Sequence, residues 1–291
     1  MLSRLGKFLT YFVAGAFAVM CLLPFIMVVS GSLSSEQDIA NYGYGLVPKH
    51  IDFISYKVLF LDVNRILNAY KISIMVTLAG TVLSLLVNSL MAYAISRKSL
   101  KYRKFLNVFT LVTILFNGGM VPWYIVCVNY MHLKDKLIAM IIPYLANAWY
   151  IFLLRNYIQS IPDEMHESAK IDGAGEYTIF FRIILQLMTP ALATVGLFTA
   201  LLYWNDWWLG LMLIDKQELQ PLQLLLRTIV SNITFIKTSP NSAAIAQIAK
   251  ALPTEGIKMA ICVITIGPIV FLYPFLQKYF VKGIMLGAVK G

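Results

Sequence analysis

The densest group of ionisable side chains in this 291-residue chain lies within residues 156–182. Its acids are Asp163, Glu164, Glu167, Asp172 and Glu176. An enzyme acting on lipid-linked substrates would need convergent Asp, His or Arg side chains at a membrane boundary. These acids instead follow the spacing of an amphipathic helix. The segment therefore predicts a surface that docks on another protein rather than a catalytic site.

Other reactive side chains are scattered and do not form a site. The cysteines lie in apolar stretches without the spacing of metal ligands: Cys21, Cys127 and Cys262. We interpret them as inert thiols and expect no disulfide, metal or cofactor in this chain. The histidines are far apart: His50, His132 and His166. The phosphate-binding pattern GxxxxGK[ST] does not occur, so any ATP and Mg on which the protein depends would have to be bound by partner subunits.

Within the charged segment, the pattern predicts a helix, a break and a second helix. Ser160 is a suitable N-cap, Pro162 fits a first turn, and Asp163 suits the positive end of the helix dipole. We expect this helix to cover residues 161–171 and to end at Asp172.

One face of the predicted helix carries its small and apolar side chains: Ile161, Met165, Ser168 and Ala169. Gly173 follows the end of the helix, and Gly175 is expected to permit a sharp turn before the chain continues. A short helix with an acidic polar face is unlike a helix that lies on lipid, because such helices favour Lys and Arg there.

The composition determines which solvent surrounds these elements. The chain is 59% apolar and only 13% charged, with a mean hydropathy of +0.74. A soluble domain carries about 25% charged residues, so this chain needs a bilayer around it. We predict an all-α, polytopic membrane protein that forms a single transmembrane domain over residues 1–291.

Six apolar stretches are long enough, or nearly so, to cross a bilayer as helices, which takes about 20 residues each. The predicted spans are 8–30, 72–96, 105–128, 137–154, 183–205 and 258–278. We interpret the first as a span rather than a signal peptide, because no small-residue cleavage site follows it. Several spans contain proline, which predicts kinked helices: Pro24, Pro122, Pro143, Pro190, Pro268 and Pro274.

The distribution of Lys and Arg predicts the orientation. Basic residues lie before the first span, after the second and after the sixth, and no acid occurs within 97–104. By the positive-inside rule, both termini and residues 156–182 are then cytoplasmic. The outer segments are about 31–71, 129–136 and 206–256. The net charge of +10 is accounted for by these membrane flanks, so no nucleic acid is expected as a partner.

At this point the sequence resembles a known family. Glu167-Ser168-Ala169, followed by Asp172-Gly173-Ala174-Gly175, is similar to the EAA loop of binding-protein-dependent ABC importer permeases. The resemblance includes four further segments: YAISR, FNGGMVPWYIV, YWNDWW and YPFLQKYFVKGIMLGAVKG. It is strongest for the sugar-importing branch, which includes the second permease of maltose-type importers and Gram-positive polysaccharide-fragment permeases. Two positions depart from the family pattern: Ser168 replaces Ala, and Gln186 replaces Pro.

The resemblance implies the type I importer permease fold, with six transmembrane helices and a cytoplasmic coupling helix. It also implies a function, which is to form half of a translocation path for a sugar or oligosaccharide in the bacterial cytoplasmic membrane. The implied partners are membrane lipid, a second homologous permease, two cytoplasmic ATPase subunits and a lipid-anchored or periplasmic solute-binding protein. Glu167 would then pair with a basic group of the ATPase, and Gly173 would form the turn.

Two segments keep alternative interpretations. The basic C-terminal tail, with Gly287 and Lys290, is either frayed or, as the resemblance implies, reaches the ATPase dimer. Trp204, Asn205 and Asp206 form either part of an aromatic belt at the interface or a gate that contacts sugar.

Two other classes compete with an importer permease. A membrane-embedded enzyme lacks the convergent charged site it would need. A self-sufficient secondary transporter is disfavoured because the spans contain almost no ionisable groups and no visible repeat.

Overall fold

A computed structural model describes residues 4–238 and 253–267 of the chain. The described residues are helical, and the β-type pairing they contain is an isolated bridge between Ser34 and Ile51. The prediction of an all-α protein is confirmed for this part of the chain.

We number the α-helices in chain order. They are α1 (Arg4–Ser32), α2 (Glu36–Tyr42), α3 (Ile54–Leu59), α4 (Val63–Ser96), α5 (Arg103–Leu115), α6 (Met120–Ile125), α7 (Ala148–Gln159), α8 (Glu164–Ile171), α9 (Glu176–Ile179), α10 (Leu185–Leu187), α11 (Thr189–Trp204), α12 (Trp208–Leu213), α13 (Leu222–Thr238) and α14 (residues 254–267). Short 3-10 segments cover Phe60–Asp62, Leu137–Met140, Ile142–Tyr144 and Gln217–Leu219. Segments of π-helix cover Val126–Tyr130 and Phe180–Ile184.

The described chain divides into two compact units, each with its own core. The first contains the residues up to Leu67 and those from Leu225 onward. Its core joins Leu59, Ile233 and Ile257. Glu36 of α2 accepts hydrogen bonds from two backbone N–H groups at the start of α14, with N···O distances of 3.0 and 3.4 Å. The carboxylate thereby satisfies donors that a helix leaves unpaired and lies at the positive end of its dipole.

The second unit contains Asn68–Leu224 and has two hydrophobic clusters. One cluster packs α4, α7 and the start of α11 around Ile95, Leu154 and Phe180. The other surrounds Met140 and Leu209. The first of these clusters lies directly beneath the charged segment, so it supports the elements that follow.

Two helical stretches are long and apolar enough to cross a membrane, and the number rises to five if each bent pair of helices is one span. The long stretches are Gly6–Ser32 and Ile54–Ser96. The bent pairs change direction by 117° between α5 and α6, by 53° before α7, and by 81° between α10 and α11. The predicted sixth span, 258–278, falls only partly within the described residues.

The bends arise at identifiable places. Between α5 and α6 the backbone breaks at Gly119, whose φ is +84°, while Pro122 lies harmlessly in the first turn of α6. The bend before α11 is at Met188, two positions before Pro190. Proline therefore predicts this last bend, but glycine makes the first one.

A buried amide holds the bend that precedes α7. Asn88 of α4 is fully buried, and its Nδ2 donates to the carbonyl oxygen of Leu145 at 3.0 Å. Its Oδ1 accepts from the backbone N–H of Asn147 at 2.8 Å. One side chain thus satisfies two backbone groups at the break.

Candidate functional site

The helix predicted over residues 161–171 begins later than expected. Helix α8 starts at Glu164, and its N-cap is Asp163, whose side chain makes no capping hydrogen bond. Ser160 is the C-cap of α7, so its prediction as an N-cap was wrong. The reason is that Ser160 and Ile161 still donate backbone hydrogen bonds into the last turn of α7.

The predicted end of the helix is correct. Asp172 is the C-cap of α8, and Gly173 follows it with a φ of +80°. Backbone N–H groups of Gly173 and Ala174 donate to the carbonyl oxygens of Lys170 and Ala169, both at 3.0 Å. A left-handed residue at this position satisfies the last carbonyl groups of a helix, and glycine adopts it without strain.

Gly175 does not form the sharp turn that was predicted for it. Its φ of −73° and ψ of 158° are extended, and it is the N-cap of α9. The positive φ of this turn lies at Gly173, so Gly175 needs no conformation that is special to glycine. After α9 the backbone continues as the π-helix Phe180–Ile184 into the bilayer segment.

A network of polar side chains connects α8, α9 and α4. The Oε2 atom of Glu176 accepts a hydrogen bond from the Tyr93 hydroxyl at 2.5 Å and lies 3.2 Å from His166 Nε2. The Oε1 atom of Glu176 lies 2.9 Å from Lys170 Nζ. His166 is buried, whereas about half of the Glu176 side chain is exposed. One carboxylate therefore connects the helix α8 to the end of α4.

The network sets the charge state of this carboxylate. Burial by itself raises the pKa of Glu176, but the hydrogen bonds from Lys170, Tyr93 and His166 outweigh it and lower the pKa to about 2. Glu176 is therefore ionised at any physiological pH and accepts hydrogen bonds from all three donors.

The buried face of α8 differs from the predicted one. His166 and Ala169 face inward, whereas Met165 and Ser168, which were predicted to share the apolar face, are exposed. The physical reason is that the contact between His166 and Glu176 turns that side of α8 inward. Glu167 is exposed on the outward side.

The outward side presents apolar groups to solvent. Met165 is 44% exposed, Ile171 86% and Tyr177 80%. Exposed apolar side chains beside acids on a short, well-anchored helix fit a surface that docks on another protein.

The residues predicted as a gate or an aromatic belt differ in how deeply they are buried. Trp204 is buried, with its ring centroid 6.3 Å from that of Tyr70, so it is not part of a lipid-facing belt. Asn205 is exposed. Asp206 is partly buried and accepts a hydrogen bond from the Tyr144 hydroxyl at 3.1 Å. A role of these residues in gating stays a prediction.

Two further predictions concern the tail and metals. Gly287 and Lys290 lie outside the described residues. Across residues 4–238 and 253–267, no group of three or more His, Cys, Asp or Glu side chains is placed to hold a metal ion.

Three comparisons with known proteins decide the family. The profile of the binding-protein-dependent transport system inner membrane component matches residues 100–286. The chain belongs to this family. It is the permease subunit of an importer, and the reading as an enzyme finds no support among the relatives. Permeases of this family are membrane-bound and act with ATPase and solute-binding partners.

The relatives match over the whole chain. The polygalacturonan/rhamnogalacturonan transport system permease protein YtcP of Bacillus subtilis is 37% identical over 100% of both chains. The protein LplC of the same organism is 36% identical over 95% of this chain and 92% of its own. A solved bacterial ABC transporter that imports the acidic polysaccharide alginate has a chain 30% identical to this one, with a TM-score of 0.79 over 96% of this chain and 99% of that one. The prediction of a type I importer permease fold is confirmed.

Sequence reasoning missed the residues that anchor α8 and the residue that holds the bend before α7. Glu176 was noted only as one acid among several, and neither Tyr93 nor Asn88 was singled out. A polar side chain within an apolar span was the available signal, because such a group requires a partner inside the protein.

Proposed function

We propose that this chain and a second, homologous permease form the translocation path for an oligosaccharide, and that α8 receives the work of ATP hydrolysis. The oligosaccharide is delivered by a solute-binding protein on the outer face. The ATPase subunits lie on the cytoplasmic face, where α8 enters a groove of one of them.

The observation that carries this proposal is the two-sided environment of α8. Its inner side is held by Glu176, and its outer side exposes Met165 and Ile171 beside Glu167. A helix that only supported the bundle would bury its apolar groups. One that only lay on lipid would not place acids beside them.

The anchor is the partly buried network around Glu176 rather than a pair of surface charges. Lys98 Nζ also approaches Asp163 Oδ2 at 3.3 Å, but both side chains are mostly exposed. Such a surface pair contributes only about 0–1 kcal/mol. The contacts of Glu176 involve buried groups and several donors, so they hold α8 more firmly.

The orientation follows from the charged flanks. The segment 97–104, which contains five Lys and Arg residues and no acid, lies at the same end of the second unit as α8. Basic flanks mark the cytoplasmic side. This supports the proposal that α8 and both termini are cytoplasmic.

The names of similar proteins suggest the class of substrate. One relative carries the name of a polygalacturonan and rhamnogalacturonan transport system, and the solved neighbour imports the acidic polysaccharide alginate. We infer that the substrate is an oligosaccharide fragment of a polysaccharide that contains uronic acid.

Charge reversal at two positions of α8 tests the coupling. Glu164 and Glu167 are both exposed and both lie in the first turn, so Lys at either position loses a similar helix-dipole stabilisation of about 0.3–1 kcal/mol. We expect Glu167→Lys to abolish uptake and substrate-stimulated ATP hydrolysis, because the ATPase pairs with this carboxylate. Glu164→Lys is the matched control and retains both activities.

The measurement is uptake of labelled oligogalacturonide into vesicles that contain the complete transporter, with membrane insertion checked by immunoblot. Wild-type uptake by Glu167→Lys, with Glu164→Lys equally active, contradicts the docking role of α8. A wild-type transporter that prefers neutral malto-oligosaccharide contradicts only the proposed substrate.

A further inference from the structure

A cleft of about 610 Å³ lies between α5 and α7, at the end of the bundle next to the charged segment. Its polar part is formed by Arg103, Lys104, Asn107 and Arg155, and its apolar part includes Phe152. No acid lines the cleft in the described part of the chain. The cleft therefore combines concentrated positive charge with an apolar wall.

No ion pair among the described residues involves Arg103, Lys104 or Arg155. Arg103 and Arg155 both line the cleft and carry the same charge. Arg103 donates from Nε to the carbonyl oxygen of Ile95 at 3.1 Å. Arg155 Nε is buried and has no hydrogen-bond partner among the described residues, and its guanidinium lies 5.9 Å from the Phe152 ring centroid. A buried donor without an acceptor is costly, so an anion from outside would satisfy it.

Asn107 adds a second requirement. Its Nδ2 donates to the backbone carbonyl of Arg103 at 2.8 Å, which leaves Oδ1 buried and without a donor in the described residues. A ligand for this cleft should therefore carry a hydroxyl group as well as a negative charge.

The apolar wall continues into a surface that faces lipid. Val108 and Leu111 line the cleft and are 59% and 45% exposed, and the neighbouring Phe105 and Phe109 of α5 are also exposed. A small soluble anion would leave this wall uncovered, whereas acyl chains would cover it. An acidic protein segment would match the charge but not this continuity with the bilayer surface.

We propose that the cleft between α5 and α7 binds the head group of an anionic phospholipid that carries a hydroxyl group, of the phosphatidylglycerol type. The phosphodiester is held by Arg103, Lys104 and Arg155, a glycerol hydroxyl donates to Asn107 Oδ1, and the acyl chains lie along Val108 and Leu111. Basic clefts between helices at the cytoplasmic boundary are known to bind such head groups. The assignment to the inner leaflet rests on the proposed orientation.

The test uses the complete, delipidated transporter in detergent. The thermal midpoint of its permease is measured with added phosphatidylglycerol, phosphatidylcholine or free glycerol phosphate, and retained lipid is counted by native mass spectrometry. We expect phosphatidylglycerol alone to raise the midpoint. Arg155→Gln and Lys104→Gln should each weaken the binding of phosphatidylglycerol about fivefold, because each removes one cation near the membrane surface.

Lys101→Gln is the matched control, because it removes the same charge from the same boundary but does not line the cleft. It should bind phosphatidylglycerol like the wild type, and Arg155→Lys should retain most of the binding. Without added lipid, Arg155→Gln should be as stable as the wild type, which excludes misfolding as the cause of its weaker binding.

The proposal is overturned if Arg155→Gln and Lys104→Gln bind phosphatidylglycerol as tightly as Lys101→Gln does. It is also overturned if phosphatidylcholine or free glycerol phosphate stabilises the wild type equally, or if a segment of a partner subunit crosslinks into the cleft and excludes lipid. None of these results changes the outcome of the Glu167→Lys experiment, so the two proposals fail separately.

Discussion

Gly173 and Gly175 flank Ala174 and have different backbone requirements. Gly173 has a φ of +80°, whereas Gly175 has a φ of −73° that any residue adopts. A Cβ added at either position would meet no atom within 4 Å, so only backbone strain distinguishes them.

We therefore expect Gly173→Ala to destabilise the end of α8 by about 1–2 kcal/mol, the cost of a left-handed conformation for a residue with a Cβ. Substrate-stimulated ATP hydrolysis should fall, since α8 no longer ends in its docked geometry. Gly175→Ala is the control and should resemble the wild type. Equal ATPase activity in the two variants would show that the turn at Gly173 is not needed for coupling.

Glu176 predicts a pH dependence whose direction is set by its lowered pKa. The value of about 2 in the folded protein lies below the ordinary 4.5. The network's contribution to stability is therefore complete above about pH 4.5 and is lost as the pH falls toward 2.

Glu176→Gln removes this contribution. The difference in thermal midpoint between the wild-type transporter and Glu176→Gln should be constant from pH 7 to 5 and should shrink as the pH falls from 5 to 3. Tyr93→Phe, which deletes one donor, should give an intermediate difference. Parallel pH profiles for wild type and Glu176→Gln would mean that the carboxylate is not held as the structure shows.

At the residue scale, the local sequence predicted the end of α8 at Asp172. It assigned the sharp turn to Gly175, and only the resemblance to the permease family assigned the turn to Gly173, where the structure has it. The role of Glu176 was missed because its partner Tyr93 lies 83 positions away in the chain. Neither spacing nor composition carries information about such a contact.

At the scale of elements, the bend before α7 depends on a side chain from another helix. Asn88 bonds to the carbonyl of Leu145 and to the N–H of Asn147. We expect Asn88→Leu to leave both backbone groups without partners and to cost about 2–5 kcal/mol, judged by the loss of native protein on heating. Ser89→Ala is the control, since Ser89 is equally buried but bonds only to Leu86 of its own helix.

If Asn88→Leu melts at the temperature of Ser89→Ala, a group outside this chain, such as water, must satisfy these two backbone groups instead. This outcome would mean that the side chain of Asn88 does not stabilise the bend before α7.

Apolar runs predicted where helices would be but not where they would break. The run 105–128 contains both α5 and α6, and its break occurs at Gly119 rather than at its proline. Hydropathy does not depend on the direction of the helix axis, so it does not reveal the bend of 117° between α5 and α6. Helix α8 begins later than predicted because Ser160, the predicted N-cap, is instead the C-cap of α7.

At the scale of the whole molecule, much of the surface requires a partner. The apolar window of α1 contains no buried residue. Composition predicted a bilayer around the chain, and the family adds ATPase and solute-binding partners. The residues that contact sugar could not be predicted from the sequence, because the type of an aromatic or amide side chain does not identify the ligand that it binds.

The hydroxyl of Tyr93 belongs to the second apolar stretch, yet it is bonded to the hairpin that follows the fourth. If α8 receives the work of ATP hydrolysis as proposed, we expect its displacement to extend beyond this hairpin. Glu176 links the hairpin to the end of α4, a helix of 34 residues or roughly 50 Å. We therefore propose that α4 transmits the displacement along its length, toward the side on which the proposed solute-binding protein delivers its substrate.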